Sequence, residues 1–334
     1  MPRPTDPLSQ FRAAADGDRV ALAKVLSTVE RGGPGAREVV GIAYRRAPHG
    51  ADGYTVGITG APGAGKSTLT DRLVALVRAA GRPAPVPDGA DDLQVAVLAV
   101  DPSSPFTGGA ILGDRVRMQG HALDRGVFIR SMATRGHLGG LAVAVPDAIR
   151  VLHACGVGLV LIETVGVGQV EVEVASAADT TVVVVNPGWG DAVQANKAGL
   201  LEIADVFAIN KADRPGARET RRDLELMLDL TATGGWRPPI VETVAASGEG
   251  TDALWTAVGD HRRFLTTSGQ LGVVRRRRLE VELHRIAMAS VEVRFDQLVG
   301  RAVYGALVDR VVSGEMDPYE AADQLLGAFV VPAD

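Results

Sequence analysis

Apolar residues recur along this chain in two alternating rhythms. Short β-branched runs at Tyr54–Thr59, Val95–Val100, Val127–Arg130, Gly158–Ile162, Thr180–Val185, Val206–Ile209 and Ile240–Ala245 read as buried strands. Most are separated by helical spacing, as where Leu69, Leu73, Leu76 and Val77 share one face before Gly81 and Pro83 close the segment. Strands alternating with helices predict an α/β fold, a mainly parallel central sheet flanked by helices, with ligands bound at the carboxyl ends of the strands. Ahead of it, Leu22, Val25, Leu26, Val29, Val39 and Val40 fall at helical spacing, interrupted by Gly32-Gly33-Pro34-Gly35, which predicts two short helices. Behind it, the stretch from Thr251 to Leu326 is helical in pattern and rich in apolar positions, among them Leu279, Leu283, Ile286, Met288 and Val291, and that surface must pack on something. The expected division is a helical extension over 1–50, the α/β domain over 51–265 and a helical segment over 266–334.

Composition narrows the function. The 334 residues suit one large domain with accessories, and 46% apolar with 22% charged residues can bury a substantial core. A net charge of −5 offers no general attraction for nucleic acid or an anionic membrane. The opening residues lack the apolar core of a signal peptide, and no apolar run reaches the roughly 18 residues of a span, so a soluble, cytoplasmic protein is expected. The single cysteine, Cys155, excludes an internal disulfide and reads as a structural thiol. Six scattered histidines show no metal-binding spacing. The run Arg275-Arg276-Arg277-Arg278 is followed at once by Glu280 and Glu282, and reads as a solvated face or a dimer contact rather than a nucleic-acid patch.

The strongest chemical signal is Gly60-Ala61-Pro62-Gly63-Ala64-Gly65-Lys66-Ser67, which satisfies G-x-x-x-x-G-K-[ST] directly after a strand and before a helix. Small residues let main-chain N–H groups wrap a phosphate, and the positive end of the following helix faces the same anion. Lys66 is expected to bridge the terminal phosphates, Ser67 to offer a hydroxyl to Mg²⁺, and Thr68 to complete the nucleotide-binding set. Asn210-Lys211-Ala212-Asp213 follows another strand at the same sheet edge. Asp213 can accept paired hydrogen bonds from guanine N1 and N2, donors that adenine lacks, and Asn210 can bond the purine edge, which selects GTP over ATP. Val244-Ala245-Ala246, at the end of the last run, offers main-chain N–H groups to the guanine O6. Asp101, Asp114 and Glu163, at or after strand ends, form a candidate catalytic and metal-binding set. The glycines in Thr164-Val165-Gly166-Val167-Gly168-Gln169 suit a loop that responds to phosphate.

With these residues in place, the chain resembles the MeaB group of GTPases, G-protein chaperones of adenosylcobalamin-dependent acyl-CoA mutases that include the methylmalonic aciduria type A protein. The resemblance spans nearly the whole chain. It is carried by Asp101-Pro102-Ser103-Ser104-Pro105-Phe106-Thr107-Gly108-Gly109, Ile111-Leu112-Gly113-Asp114, Arg135-Gly136, Leu138-Gly139-Gly140 and Glu163 to Gln169. It implies a P-loop NTPase fold and a homodimer, with 266–334 as a dimerisation arm. It also implies Mg²⁺ as cofactor, with Ser67, Asp101, Asp114 and Glu163 serving the metal and hydrolysis. The partner it implies is a mutase, methylmalonyl-CoA mutase first, and cobalamin is met only through that partner. Lys197 matches a lysine of the family tied to partner-stimulated hydrolysis. The loop from Asn186 to Lys197 departs from the family pattern at Asn186, Trp189, Ala192, Ala195 and Asn196. Two alternatives stand beside this reading: a transport-associated kinase or ATPase, disfavoured by the guanine-type loop, and a nickel metallochaperone, disfavoured by the missing His/Cys cluster.

Overall fold

Seven strands form one sheet in the order β3-β2-β4-β1-β5-β6-β7, every neighbouring pair parallel. They are β1 (Tyr54–Gly60), β2 (Val95–Pro102), β3 (Val127–Thr134), β4 (Leu159–Thr164), β5 (Thr180–Val185), β6 (Val206–Asn210) and β7 (Ile240–Thr243). The computed structural model describes residues 6–47, 53–79, 95–102, 119–121, 123–134, 140–164, 176–188, 202–231 and 235–329. The last run ends two residues earlier than its sequence suggests, because Val244 leaves the sheet to bridge Glu249 in a tight turn.

All residues of β1, β4, β5 and β6 are buried, the condition of strands covered on both faces, which is why they read as unbroken apolar runs. Alternation then sorts the side chains. Val182 and Val184 join Leu69, Leu73 and Val77 of α4 (Lys66–Ala79) and Leu254, Trp255 and Val258 of α7 (Thr251–Thr267) on one face. Val183 and Val185 join Phe207, Ile209 and Leu224, the last from α6 (Ala217–Thr231), on the other. Further along that second face, Leu98, Val100 and Met132 pack with Ala148 and Leu152 of α5 (Gly140–Ala154).

The same core takes in three amino-terminal helices, where the sequence pattern predicts two: α1 (Pro7–Ala15), α2 (Arg19–Arg31) and α3 (Pro34–Arg46). The extra break is set by capping. Asp18 accepts from the N–H groups of Val20 and Ala21 at 2.8 and 3.1 Å, so a new helix starts at Arg19 after Gly17. Val25, Leu26, Val39 and Ala43 bury this layer, and Arg130 of β3 ties it down through Ala23 O at 3.0 Å and Glu30 at 2.6 Å.

The chain forms two compact units, Met1–Arg278 and Leu279–Asp334. The boundary falls within α8 (Gln270–Val299), whose opening turns belong to the first unit. Two residues of the basic run face inward there, contrary to the solvated reading. Arg275 Nε and Nη2 reach the Asp179 carboxylate at 3.1 and 2.8 Å, and Arg278 Nη2 reaches it at 3.0 Å. The spacing of three residues puts both guanidinium groups on one helical face, leaving Arg276 and Arg277 exposed. The second unit holds the rest of α8, with α9 (Arg301–Val312) and α10 (Pro318–Phe329) around a small core of Leu307, Met316 and Ala321. Val281, Leu283, Met288 and Val293 remain more than half exposed. Among the described residues no helix is long and apolar enough to cross a membrane.

Candidate active site

The carboxyl end of β1 turns through Ala61 to Gly65 into α4, so the loop sits at the middle of the sheet between the ends of β4 and β5. Two glycines are sterically required there. At Gly60, φ is +128° and a Cβ would lie 2.0 Å from the Val184 carbonyl oxygen of the neighbouring strand. At Gly65, φ is +90° and a Cβ would lie 2.4 Å from Asn210 Nδ2. Lys66 and Ser67, the first residues of α4, are buried at 6% and 7% exposure despite their polarity, which demands partners. Lys66 Nζ donates to Gly60 O at 2.7 Å and Ala61 O at 3.0 Å, so the ammonium lies inside the loop that it is expected to serve. Thr68 follows on the exposed side of the same turn.

Ser67 Oγ donates to the Glu163 carboxylate, which rises from β4 and is 1% exposed. A hydroxyl and a carboxylate oxygen meeting at the start of a phosphate-binding helix form an oxygen donor set that fits a hard divalent cation such as Mg²⁺. Asp101 is placed at the carboxyl end of β2, beside β4, with its side chain outside the described residues. Asp114, Lys197 and Trp189 also lie outside them, as do residues 135–139 and 165–169. No cluster of three or more His, Cys, Asp or Glu suited to a metal occurs among the described residues.

Asn210 closes β6 and is 2% exposed. Its Nδ2 donates to Ala64 O at 2.7 Å, and its Oδ1 accepts from Ala245 N at 3.0 Å and Thr243 Oγ1 at 3.2 Å. One amide therefore joins the phosphate loop to the turn after β7. The sequence pattern points Asn210 to the purine edge and carries no sign of this tie, since the partners lie 146 and 35 residues away. Lys211 takes a left-handed conformation, φ +61°, the only non-glycine residue with positive φ among those described, and donates from Nζ to Gly63 O at 2.7 Å. Its stem thus crosses from the base-reading loop to the phosphate loop, with Asp213 two residues further on. Val244, Ala245 and Ala246 form the facing turn, in which Val244 O accepts from Ser247 N and Gly248 N at 3.1 and 2.9 Å.

The sequence-selected residues that are described, from Gly60 to Thr68, Glu163, Asn210 to Asp213 and Val244 to Ala246, thus gather at one edge of the sheet. Gly65→Ala tests how closely the two loops fit. Its Cβ must displace Asn210, and the left-handed backbone alone costs about 1–2 kcal/mol. GDP affinity measured by calorimetry is expected to fall about tenfold or more; an unchanged affinity would show that the loops do not need this contact.

A family model described as methylmalonyl Co-A mutase-associated GTPase MeaB matches residues 22–298. A Pyrococcus abyssi protein that bears a GTPase name is 49% identical over 318 residues, covering 94% of this chain and 94% of that protein. The GTPase ArgK of Escherichia coli is 36% identical over 79% of this chain and 78% of its own length. The mouse methylmalonic aciduria type A homolog is 34% identical over 83% of this chain and 65% of its own. A crystal structure titled as a LAO/AO transport system kinase superposes with a TM-score of 0.69 at 26% identity, covering 96% of each chain.

Proposed function

The chain belongs to the MeaB family of methylmalonyl-CoA mutase-associated GTPases and is a GTP hydrolase, and from that premise we propose that its GTP cycle governs cofactor loading and protection in an adenosylcobalamin-dependent acyl-CoA mutase, methylmalonyl-CoA mutase first. The observation that carries this reading is the family match over residues 22–298, which takes in the phosphate loop, the base-reading loop and the start of the carboxyl-terminal helices. Cobalamin is met only on the partner. The segment 266–334 serves as a dimerisation arm, and the exposed Leu283, Met288 and Val293 suit burial against a second copy.

In this reading the main-chain N–H groups of Gly63 to Ser67 hold the β- and γ-phosphates, and Lys66 swings from the Gly60 and Ala61 carbonyls to the anion. Ser67 and Glu163, with Asp101 and Asp114, would hold Mg²⁺, which would supply charge neutralisation at the phosphates. Glu163, already against Ser67, orients water close to that hydroxyl. Asp213 accepts from guanine N1 and N2, and the Lys211 stem lies along the base. Lys197 answers the partner, so hydrolysis is slow alone and rises when the mutase reorders the loops.

The test is GTP turnover with Mg²⁺, with and without apo methylmalonyl-CoA mutase, with ATP in parallel and Lys66→Ala as the blank. Turnover that prefers GTP, rises with the mutase and vanishes in the variant supports the proposal. Turnover indifferent to that mutase and to related acyl-CoA mutases defeats it. Preferential use of ATP with transfer to an acceptor would instead support a kinase.

A further inference from the structure

We propose that Arg72 is a positioning residue for guanine, holding the peptide between Ala245 and Ala246 so that its N–H faces the six-position carbonyl of the base. The inference rests on the guanine-binding reading of this sheet edge and adds to it a residue that lies in neither loop. Arg72 is on the second turn of α4, and its guanidinium leaves that helix to donate from Nε to Ala245 O at 3.1 Å and from Nη2 to Ala246 O at 2.8 Å. Two successive carbonyls are thereby gripped by one planar fork, a geometry open to arginine but not to lysine.

The consequence follows from peptide geometry. In a trans peptide the C=O and N–H of the same unit point in opposite directions. Fixing Ala245 O toward Arg72 therefore turns the Ala246 N–H away from it. The neighbouring donors are already committed: Ala245 N–H to Asn210 Oδ1 at 3.0 Å, and Ser247 N–H to Val244 O at 3.1 Å. The Ala246 N–H is thus the donor of this turn whose direction Arg72 sets, and the cation on its carbonyl polarises the same peptide and strengthens the donor. Guanine presents an acceptor at the six-position where adenine presents a donor, so the orientation of this N–H is a specificity determinant.

Arg72 also shares a rigid element with the phosphate contacts. Lys66 and Ser67 start α4, and Arg72 lies about 9 Å further along it at 1.5 Å per residue. One helix therefore sets the phosphate end directly and the base end through Arg72. No sequence motif marks this residue, because its partners are 173 and 174 positions away.

The experiment is displacement of a fluorescent GDP from the purified full chain by GDP, by ADP, and by 2-aminopurine riboside diphosphate, which keeps the two-position amine but lacks the six-position oxygen and the N1 proton, each affinity being read as variant against wild type. Arg72→Ala is expected to weaken GDP about tenfold, the upper end of what one neutral N–H to carbonyl hydrogen bond contributes. It should leave the 2-aminopurine nucleotide within about twofold of wild type. Arg72→Lys, keeping the charge without the fork, should recover part of the loss. Equal weakening of both nucleotides would mean general loosening of the turn and would overturn the proposal, as would unchanged GDP binding. Asp213→Ala separates the two levels: if it leaves the preference for GDP over ADP intact, the guanine reading itself falls. If it erases that preference while Arg72→Ala changes nothing, only the role of Arg72 falls.

Discussion

Replacing Asp179 by alanine is expected to lower the stability of the first unit by roughly 3–5 kcal/mol, the cost of leaving buried charge without its partner. Asp179 immediately precedes β5 at the amino-terminal edge of the sheet, opposite the phosphate loop, and its side chain is only 3% exposed. It accepts from Thr55 N at 3.1 Å and from both Arg275 and Arg278, while Arg275 also donates to Gly53 O at 2.8 Å. Removing the carboxylate strands two half-buried guanidinium groups and frees the start of β1, the strand that ends at Gly60. Thermal melting should fall by on the order of 10 °C. A loss below about 1 kcal/mol, the range of surface pairs, would mean that water replaces the carboxylate at little cost. The pair also fixes the direction of a pH effect. Burial alone would raise the Asp179 pKa, but the Arg275 hydrogen bonds and the two guanidinium charges outweigh it and hold the group below the ordinary 3.8. Its contribution is therefore present above that value and lost as the pH falls through the lower folded value. Wild type should lose stability in that acid range by a component that Asp179→Asn lacks.

The two ends of the sheet were not equally legible in the sequence. The phosphate loop is a local device: eight adjacent residues between a strand and a helix specify it, so Gly60 to Ser67 can be read without tertiary information. The strands of a doubly covered sheet announce themselves in the same way, as continuous runs such as Thr180 to Val185. Interactions made by single residues across long separations have no such signature. Asp179 with Arg275 and Arg278, Asn210 with Ala64, and Arg72 with Ala245 each depend on elements brought together only when the sheet forms. The basic run shows the difference clearly. Four arginines before two glutamates suggest a solvated face, yet helical phase sends the first and fourth inward, where a carboxylate awaits them. The amino-terminal segment gave a smaller error of the same kind, because the break at Gly17 became a helix boundary through the Asp18 cap.

Asn210→Ala should have the largest effect on nucleotide binding outside the phosphate loop itself, lowering GDP affinity by about 100-fold or more, equivalent to some 2.7 kcal/mol. The amide supplies three contacts inside the protein, to Ala64 O, Ala245 N and Thr243 Oγ1, and alanine leaves all three polar groups without it at a buried point. Each buried group left unsatisfied costs about 1–3 kcal/mol, less where water enters. The pattern of loss distinguishes a tie from a simple base contact. If Asn210 acted only on the purine, its removal would spare ligands that have no base. Because its Nδ2 holds Ala64 within the phosphate loop, inorganic pyrophosphate should bind more weakly to Asn210→Ala as well, whereas Asp213→Ala, acting on the base, should leave pyrophosphate unaffected. Calorimetric titration of both ligands into both variants makes that comparison. Intact pyrophosphate binding by Asn210→Ala would mean that the phosphate loop keeps its shape unaided, and that the link between the two loops is a consequence of the fold and not a support for the site.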